Sequence, residues 1–152
     1  MPKTIISDTS CLIVLTNIGE LDLLRKVYDP IVTTVDIAVE FGEPLPEWVI
    51  IEKVADKYRQ QLLEMQIDRG ESSAIALALE TPDSTVILDD YRARKIAEQL
   101  GVSYTGTFGV IIKAKLNGAI SSIKPILKKI KETDFRLSVD IERQALVAAG
   151  EL

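Results

Sequence analysis

Glu71–Asp90 reads E-S-S-A-I-A-L-A-L-E-T-P-D-S-T-V-I-L-D-D, and within it the hydrophobic pattern changes from helical to extended. Ala74, Ile75, Leu77, Ala78 and Leu79 give a helix starting near Glu71 a broad apolar face. Its small alanines let it sit close to a sheet. Thr81-Pro82-Asp83 stops that helix. The apolar run Thr85–Leu88 follows as a strand, and Asp89 and Asp90 come directly after it. An amphipathic helix feeding a short apolar strand is the repeating unit of an α/β protein with a parallel sheet.

The same rhythm extends in both directions. Upstream, Thr4–Ser7 reads as a first strand and Ser10–Val27 as a helix. Ile31–Thr33 is a short strand, and Val35–Gly42 a helix that ends in Gly42-Glu43-Pro44-Leu45-Pro46. Trp48–Val54 alternates as a strand suited to a sheet edge. One more helix precedes the break at Asp68-Arg69-Gly70. Downstream, Tyr91–Leu100 is helical with Gly101 as its C-terminal cap, and Val102–Thr105 is the last strand. Gly106-Thr107-Phe108-Gly109 opens a helix through Leu116, and two further helices cover Pro125–Lys131 and Ser138–Ala149. No repeat or linker interrupts this order, so residues 1–152 are expected to form one domain.

Composition narrows the chemistry. The chain has no histidine, which removes the usual general base and every serine–histidine or cysteine–histidine mechanism. Cys11 is the single cysteine, so neither an internal disulfide nor a multi-thiolate metal site can form. Its neighbours, Leu12 to Leu15, suit a small core residue. Apolar residues make up 47% and charged residues 27%, and no apolar run is long enough to cross a bilayer. The N-terminus lacks the apolar core of a signal peptide, which makes cytoplasmic residence the default expectation. A net charge of −5 argues against nonspecific nucleic-acid binding over the whole surface. Aromatics are 5%, so an extensive base-stacking platform is not expected. No G-x-x-x-x-G-K-[ST] loop or G-x-G-x-x-G turn is present.

What remains for chemistry is carboxylate, hydroxyl and bound metal. Asp8 and Asp90 each follow the apolar residues of a strand, so both should project from the carboxyl edge of the sheet, where open parallel sheets bind ligands. Glu40 and Glu71 lie on helices beside apolar runs. Four carboxylates brought together would repel one another, and Mg²⁺ or Mn²⁺ would relieve that repulsion. Each also has a plainer role. Asp8 and Asp90 suit helix N-caps, Glu71 a first-turn dipole partner, and Glu40 a solvated helix face. Asp89 is a ligand or a neighbour of one. Arg92, Arg94 and Lys95 lie just beyond the acidic turn, placed to hold phosphates or to pair with Glu98 on an exposed helix. Lys128, Lys129 and Lys131 read as a solvated basic face.

Five ordered blocks make the chain recognisable: I-S-D-T-S-C-L-I, G-E-S-S-A-I-A-L-A, V-I-L-D-D-Y-R-A-R, Y-T-G-T-F-G-V-I-I-K-A-K and the C-terminal A-A-G-E. Together they resemble the PIN-domain nucleases, within a prokaryotic PIN-like branch, over nearly the whole chain. The resemblance implies a three-layer α/β/α fold around about five parallel strands. It implies Asp8 as the first-strand aspartate with Thr9 and Ser10 as accompanying hydroxyls, Glu40 as the glutamate after the second strand, and Asp90 as the last acidic residue. Glu71 stands where many PIN nucleases carry aspartate, and Leu88 where they carry threonine.

That resemblance implies hydrolysis of RNA phosphodiesters with Mg²⁺ or Mn²⁺. Asp8, Glu40, Asp89 and Asp90 would serve as metal ligands, Glu71 would be the further catalytic carboxylate, and Thr9, Ser10, Arg92 and Arg94 would hold substrate. It further implies a homodimer and, in a toxin–antitoxin pair, a small inhibitory antitoxin. A rival reading is a PIN-like module that binds nucleic acid or protein without cutting, favoured by Glu71 and Leu88. A phosphoacceptor receiver domain needs its acidic pair after the first strand, whereas Asp89-Asp90 follows the fourth.

Overall fold

The computed structural model describes residues 3–152. Five parallel strands, β1 (Thr4–Ile6), β2 (Ile31–Thr34), β3 (Val49–Glu52), β4 (Ser84–Ile87) and β5 (Tyr104–Thr105), form one sheet in the order β3-β2-β1-β4-β5. Among the described residues nine helices flank it: α1 (Thr9–Asn17), α2 (Leu23–Val27), α3 (Val35–Phe41), α4 (Lys57–Glu64), α5 (Arg69–Glu80), α6 (Tyr91–Gln99), α7 (Thr107–Leu116), α8 (Lys124–Lys131) and α9 (Val139–Ala148). The parallel sheet is the α/β class expected from the alternating pattern, and the three-layer α/β/α arrangement is the one the resemblance implies. β3 takes the sheet edge, where its alternation placed it.

Buried parallel strands read as short continuous apolar runs because both faces are covered. Ile5, Ile6, Val86 and Ile87 accordingly lie within the core. The alanine-rich α5 packs across β2, β1 and β4, and Ala74, Ile75, Ala76 and Leu77 are buried there. α7 packs against α2 and α9 on further apolar surface that includes Val110 and Ile111. No helix among the described residues is long and apolar enough to cross a membrane.

Several boundaries differ from the sequence expectation. The helix read as Ser10–Val27 is two, because Gly19 adopts a left-handed conformation (φ 71°) and turns the chain between α1 and α2. α5 begins at Arg69 on an Asp68 cap, ahead of Glu71. β4 ends at Ile87, one residue short of Leu88, and β5 is only Tyr104–Thr105.

The strand order decides where a site can form. From β1 the chain moves outward through β2 to β3, then returns to place β4 on the other side of β1. The connections leaving β1 and β4 therefore diverge, and a crevice opens between them at their carboxyl ends. Ser7 N–H donates to Val32 O at 2.9 Å and Leu88 N–H to Thr105 O at 2.8 Å. The ladders thus run one residue past each strand, and the residues that emerge next are Asp8 and Asp89.

Candidate active site

Asp8 leaves the sheet in extended conformation and caps α1, its Oδ1 accepting from Cys11 N–H at 2.9 Å. It is 4% exposed. Burial pushes its carboxyl up to about 8, and the charge of Asp89 pushes the same way, with a smaller contribution from Glu71. The amides of Cys11 and Asp89 oppose that rise. One oxygen caps the helix while the residue also lines a cleft.

Glu71 stands in the first turn of α5, whose N-cap Asp68 accepts from Glu71 N–H at 2.8 Å. Desolvation raises its carboxyl to about 7, and Asp68, Asp90 and Glu40 add negative charge around it. Glu40 reaches over from α3 and accepts from Thr9 Oγ1 at 2.6 Å. α3 is fixed by Thr34, whose Oγ1 caps Ile37 N–H at 3.1 Å and lies 2.6 Å from Ser73 Oγ on α5. Asp8, Thr9, Ser10, Glu40, Asp68 and Glu71 line one cleft of about 320 Å³, with Ile13, Val14 and Phe135 as its apolar wall.

The two aspartates after β4 divide their work. Asp89 Oδ1 accepts from Thr107 N–H at 2.9 Å and Oδ2 from Thr107 Oγ1 at 2.6 Å, while Arg94 Nη2 stands 3.7 Å from Oδ1. Arg94 is itself anchored, its Nε donating to Leu88 O at 2.6 Å. Asp90 caps α6 through Ala93 N–H at 3.0 Å and is exposed on the Glu71 side. Leu88 is wholly buried and serves the core. Arg92 and Lys95 are exposed on α6, and Lys95 lies over the Tyr91 ring at 5.9 Å. The basic face of α8 is solvated: Lys129 pairs with Glu20 at 2.7 Å, and Lys131 pairs with Glu142.

Asp68 escaped the sequence reading. Its signal was D-R-G-E, an aspartate three residues before a glutamate at a helix start, which is a capping pattern. Cys11 is fully buried, and burial pushes its thiol well above the ordinary range, as suits a core residue.

The chemistry of this donor set is that of a hard cation. Every donor is oxygen, and the crowding of Asp8 by Asp89 is negative charge that a divalent ion would neutralise. Among the described residues no three carboxylates converge as a ready-made cage. Mg²⁺ commonly takes one or two carboxylates and keeps several waters, so the donors suit it without a cage.

Residues 4–151 match a family model described as PIN domain (DUF3368). Searches among curated proteins and among solved structures give no significant match.

Proposed function

Since the chain belongs to the PIN-domain family, a nuclease-type fold, we propose that it is a Mg²⁺- or Mn²⁺-dependent endoribonuclease built as one domain. The observation that carries this reading is Asp8: a buried carboxylate at the strand-order reversal, crowded by Asp89 and Glu71, with no ion-pair partner among the described residues. Asp8 with one neighbouring carboxylate would hold the metal directly, and the others among Asp89, Asp90 and Glu40 would hold it through bound water; the ion would supply an activated water and neutralise charge on the leaving oxygen.

The chain's own residues do the rest. Glu71, raised towards neutrality, is placed to take or return a proton near pH 7. Thr9 fixes the Glu40 carboxylate, and Thr107 with Arg94 fixes that of Asp89. Ser10 opens into the cleft as a hydroxyl for the phosphate. Arg92 adds positive charge on the exposed start of α6. A cytoplasmic toxin blocked by an antitoxin, acting as a homodimer, is the biological setting that accords with the family.

The test is incubation of labelled RNA with the protein and Mg²⁺ or Mn²⁺, beside Asp8→Asn. Metal-dependent cleavage lost in the variant supports the reading; equal cleavage by both proteins points to another site. The second reading, binding without cleavage, is favoured by the lack of a convergent carboxylate triad among the described residues, and its mark is RNA binding with no metal-dependent product.

A further inference from the structure

A second cavity, of about 460 Å³, adjoins the carboxylate cleft and is lined in part by Asp89, Arg94, Phe108, Phe135, Arg136 and Gln144. Phe135 lines both spaces, so a single aromatic side chain partitions them. Its ring lies 6.0 Å from that of Phe108 at 58°, and both rings are held by partial burial against the core. The pair forms an apolar wall in contact with the core.

The polar groups around that wall are two guanidinium groups, an amide and the Asp89 carboxylate, which Arg94 faces at 3.7 Å. The Arg94 guanidinium is anchored through Leu88 O and half exposed. Arg136 is exposed, and among the described residues no carboxylate lies within ion-pair distance of it. Gln144 adds an exposed amide able both to donate and to accept. Two guanidinium groups, an amide and an aromatic pair match a base with its adjoining phosphate, because bases stack on aromatic and guanidinium planes while their edges take amide hydrogen bonds.

We propose that this cavity is a nucleotide subsite that receives one unpaired base flanking the phosphate held at the carboxylates. The inference rests on the nuclease reading and adds to it a contact with one base. A base must leave its stack to enter, so single-stranded segments are accepted and continuous duplex is refused. Low aromatic content is no obstacle, since a compartment for one base needs only Phe108 and Phe135.

The test is a thermodynamic cycle between base and side chain. A fluorescent single-stranded RNA of about ten nucleotides, intact or abasic at one position in turn, is titrated by anisotropy with Ca²⁺ replacing the catalytic ion. For the wild-type chain, one abasic position should weaken binding about 10-fold, the loss of one stacked base. Phe135→Ala should bind the intact strand about 10-fold more weakly and be insensitive to that abasic position. Arg136→Ala, on the surface and independent of the ring packing, should lower the salt dependence of log K by about one contact.

Equal sensitivity to the abasic position in wild type and Phe135→Ala overturns the subsite, as does duplex RNA bound as tightly as single strand. Cleavage of RNA without the coupling removes the subsite and leaves the nuclease reading standing. Coupling without metal-dependent cleavage removes the nuclease reading and keeps the subsite. Absence of RNA binding overturns both.

Discussion

A methyl group on Gly70 would stand 2.8 Å from Glu40 Oε2 and 2.9 Å from Oε1. The first turn of α5 and the carboxylate of α3 thus share space that only glycine leaves open. Gly70 is helical with ordinary φ, so alanine there contributes about 1 kcal/mol of helix propensity. The displaced Glu40 carboxylate is the far end of an exposed, flexible chain, and moving it costs little. Gly70→Ala is therefore expected to keep or raise Tm while metal-dependent cleavage falls about 10-fold, the effect of disturbing an outer metal partner. Calorimetry and an RNA assay on the same preparation check the separation. A parallel loss of Tm and activity would count against it.

Stability of the metal-free protein should decline as pH rises. Asp8 moves from 3.8 to about 8 on folding and Glu71 from 4.5 to about 7, so between those values the folded state holds more protons than the unfolded chain. Their contribution is complete below about pH 4 and is lost progressively up to about pH 8. For a domain of this length each kcal/mol corresponds to roughly 2–4 °C in Tm. Melting curves in EDTA from pH 5 to pH 8.5 should show that fall, and added Mg²⁺ or Mn²⁺ should recover part of it at the alkaline end. A Tm that rises with pH in EDTA contradicts the assignment.

Asp8→Asn should separate charge from capping. Asparagine caps a helix about as well as aspartate, so the bond to Cys11 N–H survives. The buried charge does not. We expect a higher Tm than wild type at pH 8 in EDTA, a flatter pH profile, and cleavage reduced by at least about 10–100-fold. A variant less stable than wild type at pH 8 would show that the carboxylate is compensated within the fold.

The C-terminal A-A-G-E also has a structural meaning. Glu151 accepts from Ser122 Oγ at 2.5 Å and from Ile123 N–H at 2.8 Å, and Lys115 Nζ lies 3.5 Å away. The Ser122 hydroxyl is the largest influence holding its carboxyl below the usual range, followed by the Ile123 amide. That contribution is present at neutral pH and is lost as the medium becomes acidic. Glu151→Ala should lower Tm at pH 7, with a smaller difference from wild type at pH 4, and leave RNA cleavage per folded molecule unchanged.

The α/β class was legible because α5 and β4 carry the change of hydrophobic period within one stretch. The position of β3 at the edge followed from its alternation. Legibility failed where a backbone detail decides. Gly19 splits the first long helix, and its left-handed conformation is a local choice that Ile18-Gly19-Glu20 does not announce by period. The choice between Asp89 and Asp90 depends on where the β4 ladder stops, and the Leu88 amide extends it by one residue. Adjacent aspartates then face different neighbours, Asp89 towards Asp8 and Asp90 towards Glu71. Phe135 was hidden because its place at the cleft arises from packing between distant segments, whereas Asp68 carried a local capping signal.

The strand order has a consequence for the growing chain. β1 emerges early in synthesis, but its neighbour on the crevice side is β4, and β2 and β3 must be made first. Asp8 therefore gains Asp89 as a neighbour only after more than half of the chain has been translated. A nascent fragment carries the first carboxylate with no assembled centre around it, so under the proposed ribonuclease function the chain is inert beside the message from which it is being read.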